Sequence, residues 1–106
     1  MRSIASPDSY FEIVEEYNGG YKINLKSNVK AEAITIPSYF SNNNTGESKL
    51  VTAFTIQNRD AIKSTLKRVF VTENNNTIEI SANTFNGCNQ LEYVDLENMK
   101  NLTVIK

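Results

Sequence analysis

Leu66-Lys67-Arg68-Val69-Phe70-Val71 and Leu91-Glu92-Tyr93-Val94-Asp95-Leu96 share the spacing L-x-x-V-x-L/V, and each apolar position of the second lies 25 residues after its counterpart in the first. Ile80 and Ile105 keep the same offset, so four apolar positions recur in one register. A fixed period of this length marks a repeat architecture, each repeat being one supersecondary unit. In a strand, side chains two apart share a face, which turns Val69 and Val71 inward and leaves Arg68 and Phe70 outward. Stacking of consecutive coils then sets Val69 beside Val94 and Val71 beside Leu96 on adjacent parallel strands. A single coil has nothing to bury its apolar face against, and its neighbour supplies that surface.

Between the two strands, Ile80, Phe85, Cys88 and Leu91 are spaced to point inward, and Asn86-Gly87 permits a sharp reversal. Upstream, Phe11, Ile13 and Tyr17, then Tyr21, Ile23 and Leu25, fall on alternate positions around Asn18-Gly19-Gly20, which predicts a β-hairpin over residues 10–26. Ala33-Ile34-Thr35-Ile36-Pro37 reads as a short strand ended by a proline that cannot donate to a ladder. Ser41 to Gly46 is a polar loop, Leu50 to Ile56 resumes extended structure, and Asp60 to Ser64 fits a single helical turn. Residues 1–9, poor in apolar content, read as a flexible leader.

The expected fold is mainly β with short helical turns, a short solenoid of parallel stacked strands capped by the N-terminal hairpin. Residues 10–106 form one domain on this reading: the hairpin at 10–26, an irregular first coil at 33–65, a repeat at 66–90 and a partial repeat at 91–106. The first coil is irregular because Ile34 and Val69 are 35 residues apart, with the excess held in the Asn42-Asn43-Asn44 loop and around Asp60-Ala61-Ile62. No polar cap follows Ile105-Lys106, although an end coil normally needs one. The expectation is an N-terminal slice of a longer protein or a very short solenoid.

The run from Ile80 through Phe85, Cys88, Leu91 and Val94 to Leu96 resembles the repeat of BspA-type leucine-rich-repeat proteins, whose pattern is I-G-x-x-A-F-x-x-C-x-x-L-x-x-V-x-I. Ser81 and Thr84 stand where that pattern usually has Gly and Ala. The 25-residue offset lies within the about 20 to 29 residues of leucine-rich repeats. Ile34 to Phe40 followed by Val51 to Phe54 resembles the entry repeat of the same proteins, and the hairpin resembles their N-terminal cap. The resemblance implies a non-catalytic binding or adhesion module at the cell surface or in secretion.

Composition excludes several other classes. Eleven Lys+Arg against twelve Asp+Glu give a net charge of −1, so no positive field steers the chain toward nucleic acid. No apolar run approaches the length of a membrane span, and the opening Met1-Arg2-Ser3-Ile4-Ala5-Ser6-Pro7 lacks the apolar core of a signal peptide. Without any histidine there is no imidazole base for a Ser or Cys nucleophile, and one cysteine cannot supply a tetrahedral zinc site. Calcium would have to draw on Asp95, Glu97, Glu92 or Glu73, yet no loop alternates acidic residues with a glycine. Glu15-Glu16 lie on a hairpin rather than across a cleft, and Gly19-Gly20 lack the partners of a phosphate cradle. Asn43-Asn44-Thr45, Asn75-Asn76-Thr77 and Asn101-Leu102-Thr103 are glycosylation sequons with meaning only in a eukaryotic secretory setting. No enzyme activity and no cofactor is expected.

What remains is surface. Outward positions form rows across neighbouring coils: Thr35, Phe70 and Asp95 in one, Arg68 beside Tyr93 in another. Exposed aromatics beside an arginine are the usual anchors of protein interfaces, which makes Arg68, Phe70, Tyr93 and Asp95 the candidate partner-binding residues for a protein or glycan. Two readings stay open: recognition through this face, or a purely structural N-terminal cap and spacer.

Overall fold

Asn18 and Gly19 take φ values of 51° and 81°, the positive pair of a two-residue turn whose twist matches that of the strands it joins. The computed structural model describes residues 6–72, 79–80, 84–85, 87–94 and 104–105. Around the turn, β1 (Phe11–Tyr17) pairs antiparallel with β2 (Gly20–Leu25), setting Phe11 opposite Leu25 and Ile13 opposite Ile23. The register then slips by one residue at Val14, so that Glu15 stands opposite Lys22 and Glu16 opposite Tyr21. Val14 is the extra residue of a β-bulge and is left exposed.

The remaining strands are β3 (Ala33–Ile36), β4 (Tyr39–Ser41), β5 (Ser48–Thr55), β6 (Arg68–Val71), β7 (Glu79–Ile80), β8 (Tyr93–Val94) and β9 (Val104–Ile105). The protein is mainly β, and among the described residues its strands form two open sheets. The smaller has the order β3, β6, β8, all parallel, with Ile34 beside Val69 and Val69 beside Val94. In the larger, β2, β5, β7 and β9 run parallel and place Ile23, Phe54, Ile80 and Ile105 in one row. Successive strands alternate between the two sheets after β5, so each passage of the chain adds one strand to each.

The larger sheet is mixed: its antiparallel hairpin is the expected cap, whereas the antiparallel return of β4 corrects the expectation of parallel stacked strands beyond it. The hairpin adds β1 antiparallel to β2, and β4 turns back on the first half of β5 with Tyr39 beside Leu50. The polar loop between β4 and β5 makes that reversal: the amide of Asn42 donates to the Glu47 carbonyl at 2.8 Å and that of Gly46 to the Asn42 carbonyl at 2.7 Å. Gly46 takes a φ of 76° that few other residues adopt without strain.

Helical structure is slight among the described residues. Asp8–Tyr10 form a 3-10 turn, and Lys63 and Leu66 donate to the carbonyls of Arg59 and Ile62, making about one helical turn between β5 and β6. The core lies between the two sheets and includes Tyr21, Ile23, Ile34, Phe54, Val69 and Ile80, each at most 2% exposed. Val94 packs against it while partly exposed.

The stretch expected as a loose leader is attached from Ser6 onward. The Ser6 amide donates to the Thr35 carbonyl at 3.1 Å, and Ser6 Oγ accepts from the Thr35 amide at 2.8 Å. This contact covers the outer edge of β3 and leaves Thr35 buried rather than displayed on the surface row expected for it. Residues 1–5 lie outside the described residues.

Candidate outward face of the smaller sheet

The side chains of β6 alternate as their period requires: Val69 and Val71 are buried, Arg68 and Phe70 are not. The register places Arg68 directly beside Tyr93 of β8. The rings of Phe70 and Tyr93 then meet diagonally, with centroids 5.9 Å apart and planes inclined at 53°, a separation typical of a favourable aromatic pair. Tyr93 is half exposed and Phe70 intermediate, so the tyrosine shelters the phenylalanine and presents the outer surface. Arg68, Phe70 and Tyr93 are thus brought together as the sequence predicts. Asp95, the fourth candidate, lies outside the described residues.

Among the described residues Arg68 has one ionic neighbour, Glu32, with Nη2 3.9 Å from Oε1, the glutamate largely and the arginine partly in solvent. A pair this long and wet holds the guanidinium weakly, leaving it free to take another acceptor.

The backbone beneath these side chains is fixed by a device that apolar spacing does not reveal. The Glu32 carbonyl accepts from the amides of Lys67 and Arg68 at 2.7 and 3.0 Å, and the Lys67 carbonyl accepts from those of Glu92 and Tyr93 at 2.8 and 3.1 Å. One carbonyl thus anchors the start of each following strand, so the entry to β8 repeats the entry to β6. Glu32 and Lys67 are ordinary surface residues in the sequence, and only their main-chain atoms serve here.

Elsewhere, polar groups inside the molecule have structural partners. Asn24, 4% exposed, donates from Nδ2 to Glu12 Oε2 at 2.7 Å and accepts at Oδ1 from the Gln57 amide at 2.8 Å. The hydroxyls of Ser38 and Thr72 bond to each other, linking the segment after β3 to that after β6. Cys88 is buried, and desolvation pushes its thiol pKa up against a smaller opposing pull from Arg59. That environment favours the unreactive thiol over a thiolate nucleophile.

Among the described residues, no group of three or more Cys, Asp and Glu side chains is placed to hold a metal ion, and no helix is long and apolar enough to cross a membrane. No protein-family model, no curated protein and no solved structure matches the chain.

Proposed function

We propose that the chain is a non-catalytic recognition module of BspA-like, leucine-rich-repeat type, carried by a surface or secreted protein, which binds a protein or glycan partner through the outward face of β3, β6 and β8. The reading takes β2 and β3, β5 and β6, and β7 and β8 as successive coils of one short solenoid. The observation that carries it is the Phe70–Tyr93 ring pair beside a weakly held Arg68 on paired parallel strands. Aromatic side chains held rigidly on a surface supply contact area at small entropic cost, and an arginine beside them adds charged donors, which is why both are enriched among interface hot spots.

The test uses the whole chain against a panel of immobilised extracellular proteins and glycans. Tyr93→Ala and Phe70→Ala should each weaken a detected interaction about tenfold or more, the scale of an interface hot spot. Tyr93→Ala should leave melting nearly unchanged. Binding that survives both substitutions overturns recognition through this face.

A second reading, that of a structural cap and spacer, is favoured by an asymmetry. At one end β1 covers β2 and Ser6 covers β3, whereas β8 and β9 each pair on one side only among the described residues. Loss of stability in Phe70→Ala and Tyr93→Ala, without any loss of binding, supports this reading instead.

A further inference from the structure

The tip of the hairpin is the one place among the described residues where an asparagine is followed by a glycine. Asn18 and Gly19 are both exposed, and nothing stands within 4 Å of the position that a Cβ on Gly19 would take. In a two-residue turn the flanking pair, here Tyr17 and Gly20, stands opposite in the ladder while the central residues project beyond it. Among the described residues, neither the Asn18 carboxamide nor the Gly19 main-chain amide makes a hydrogen bond.

Other exposed asparagines are held differently. The amide that follows Asn28 donates to the Lys26 carbonyl at 3.2 Å, that following Asn43 to Asn42 Oδ1 at 2.8 Å, and that following Asn44 to the Asn42 carbonyl at 3.3 Å. Asn58 commits its own Oδ1 to the Asp60 amide at 2.9 Å. Asn18 alone of these combines an unbonded carboxamide with an unbonded neighbouring nitrogen that no side chain crowds.

From this arrangement we propose that Asn18 is a site of spontaneous modification in the folded protein, converting through a cyclic imide to aspartate and isoaspartate and loosening the hairpin against β5. The Gly19 nitrogen loses its proton to hydroxide and bonds to Asn18 Cγ, and the carboxamide nitrogen leaves as ammonia. Water then opens the imide. Breaking the bond between Cγ and the Gly19 nitrogen gives aspartate, whereas breaking the bond from the Asn18 main-chain carbonyl carbon gives isoaspartate, whose backbone runs through Cβ. The balance is water consumed and ammonia released, with no oxidant or reductant.

The two products differ in what they do to the turn. Aspartate tolerates the same positive φ and leaves the chain length unchanged. Isoaspartate inserts an extra backbone atom between Tyr17 and Gly20. Both residues hold β5: the Tyr17 carbonyl accepts from the Thr52 hydroxyl, and Gly20 packs directly against the Leu50 carbonyl. Spreading the ends of the turn strains these contacts together.

The test holds the full folded chain in mildly alkaline buffer, beside a sample in urea, and follows both by peptide mass spectrometry and by methyl transfer from a purified isoaspartyl methyltransferase. In the folded sample the peptide containing residue 18 should convert several-fold faster than those containing Asn28, Asn43, Asn44 or Asn58. The isoaspartate form, separated by ion exchange, should melt several degrees below fresh wild type. Asn18→Asp, which adds the charge without lengthening the backbone, should melt close to wild type. Asn18→Gly, which suits the positive φ but has no carboxamide, should keep its melting temperature through the incubation. The proposal is overturned if residue 18 converts no faster than the other asparagines, if it converts only in urea, or if the isoaspartate form melts like fresh protein. A loss in Asn18→Asp equal to that of the isoaspartate form would assign the effect to charge and overturn the backbone account.

Discussion

The carbonyl oxygen of Leu50 occupies the space that a Cβ on Gly20 would need. The same Cβ would lie 2.6 Å from Thr52 Cγ2. Gly20 is therefore required by the close approach of β5 to β2, whereas Gly19 is required by its positive φ with open space around it. Gly20→Ala should cost about 2–3 kcal/mol through overpacking against backbone, and Gly19→Ala about 1 kcal/mol through backbone strain. Urea denaturation of both variants measures this, and the reverse order would show that β5 yields easily.

Removal of residues 1–26 should abolish folding. The hairpin contributes Phe11, Tyr21, Ile23 and Leu25 to the core, all at most 2% exposed. Burial of such side chains is worth about 1.5–3 kcal/mol each, together comparable with the about 5–15 kcal/mol that holds a whole domain folded. Circular dichroism melting decides the matter, because a truncated chain that still melts cooperatively has a core without them.

Asn24→Ala should destabilise the protein by about 2 kcal/mol, since it deprives the Gln57 amide and the Glu12 carboxylate of a partner. Asn24→Asp adds pH dependence. A second carboxyl beside Glu12 is forced toward its neutral form, so its folded pKa rises. Stability is then retained below the ordinary carboxyl range and lost as the pH climbs through the raised value. Melting temperatures in acid and at neutral pH should show the variant closer to wild type in acid; equal deficits at both would mean the two carboxyls do not interact.

Tyr17 should ionise above the usual tyrosine range, chiefly because the negative charge of Glu79 opposes a phenolate, with burial and a hydrogen bond to Glu79 adding to it. The sign follows directly: the neutral phenol favours the folded state below the ordinary tyrosine pKa, and that contribution fades as the pH rises through the folded value. Ultraviolet titration of tyrosinate should lose a late component in Tyr17→Phe and move it earlier in Glu79→Gln. An unchanged titration in Glu79→Gln would assign the shift to another cause.

Much of the strand arrangement was legible because apolar spacing reports which face a side chain takes. The 25-residue offset anticipates Val69 beside Val94 and Ile80 beside Ile105, and Asn18-Gly19 anticipates the hairpin. Spacing says nothing about main-chain partners. The slip at Val14, the attachment of Ser6 to Thr35, the return of β4 onto β5 and the carbonyls of Glu32 and Lys67 therefore stayed hidden. Each depends on which backbone groups of distant segments are left over to bond. Gly20 was legible as a glycine beside a turn, but its reason lies in a strand about 30 residues away. For the outward face, alternation found Arg68, Phe70 and Tyr93.

The bulge at Val14 carries a consequence for how the molecule behaves in a crowd. β1 forms the end of the larger sheet, and a flat end strand invites other chains to add on and grow into fibrils. Here the strand is kinked midway and studded with Glu12, Glu15 and Glu16, so an incoming chain meets a broken ladder and like charges. Straightening it by deleting Val14, with those glutamates neutralised, would turn a guarded border into a template for aggregation.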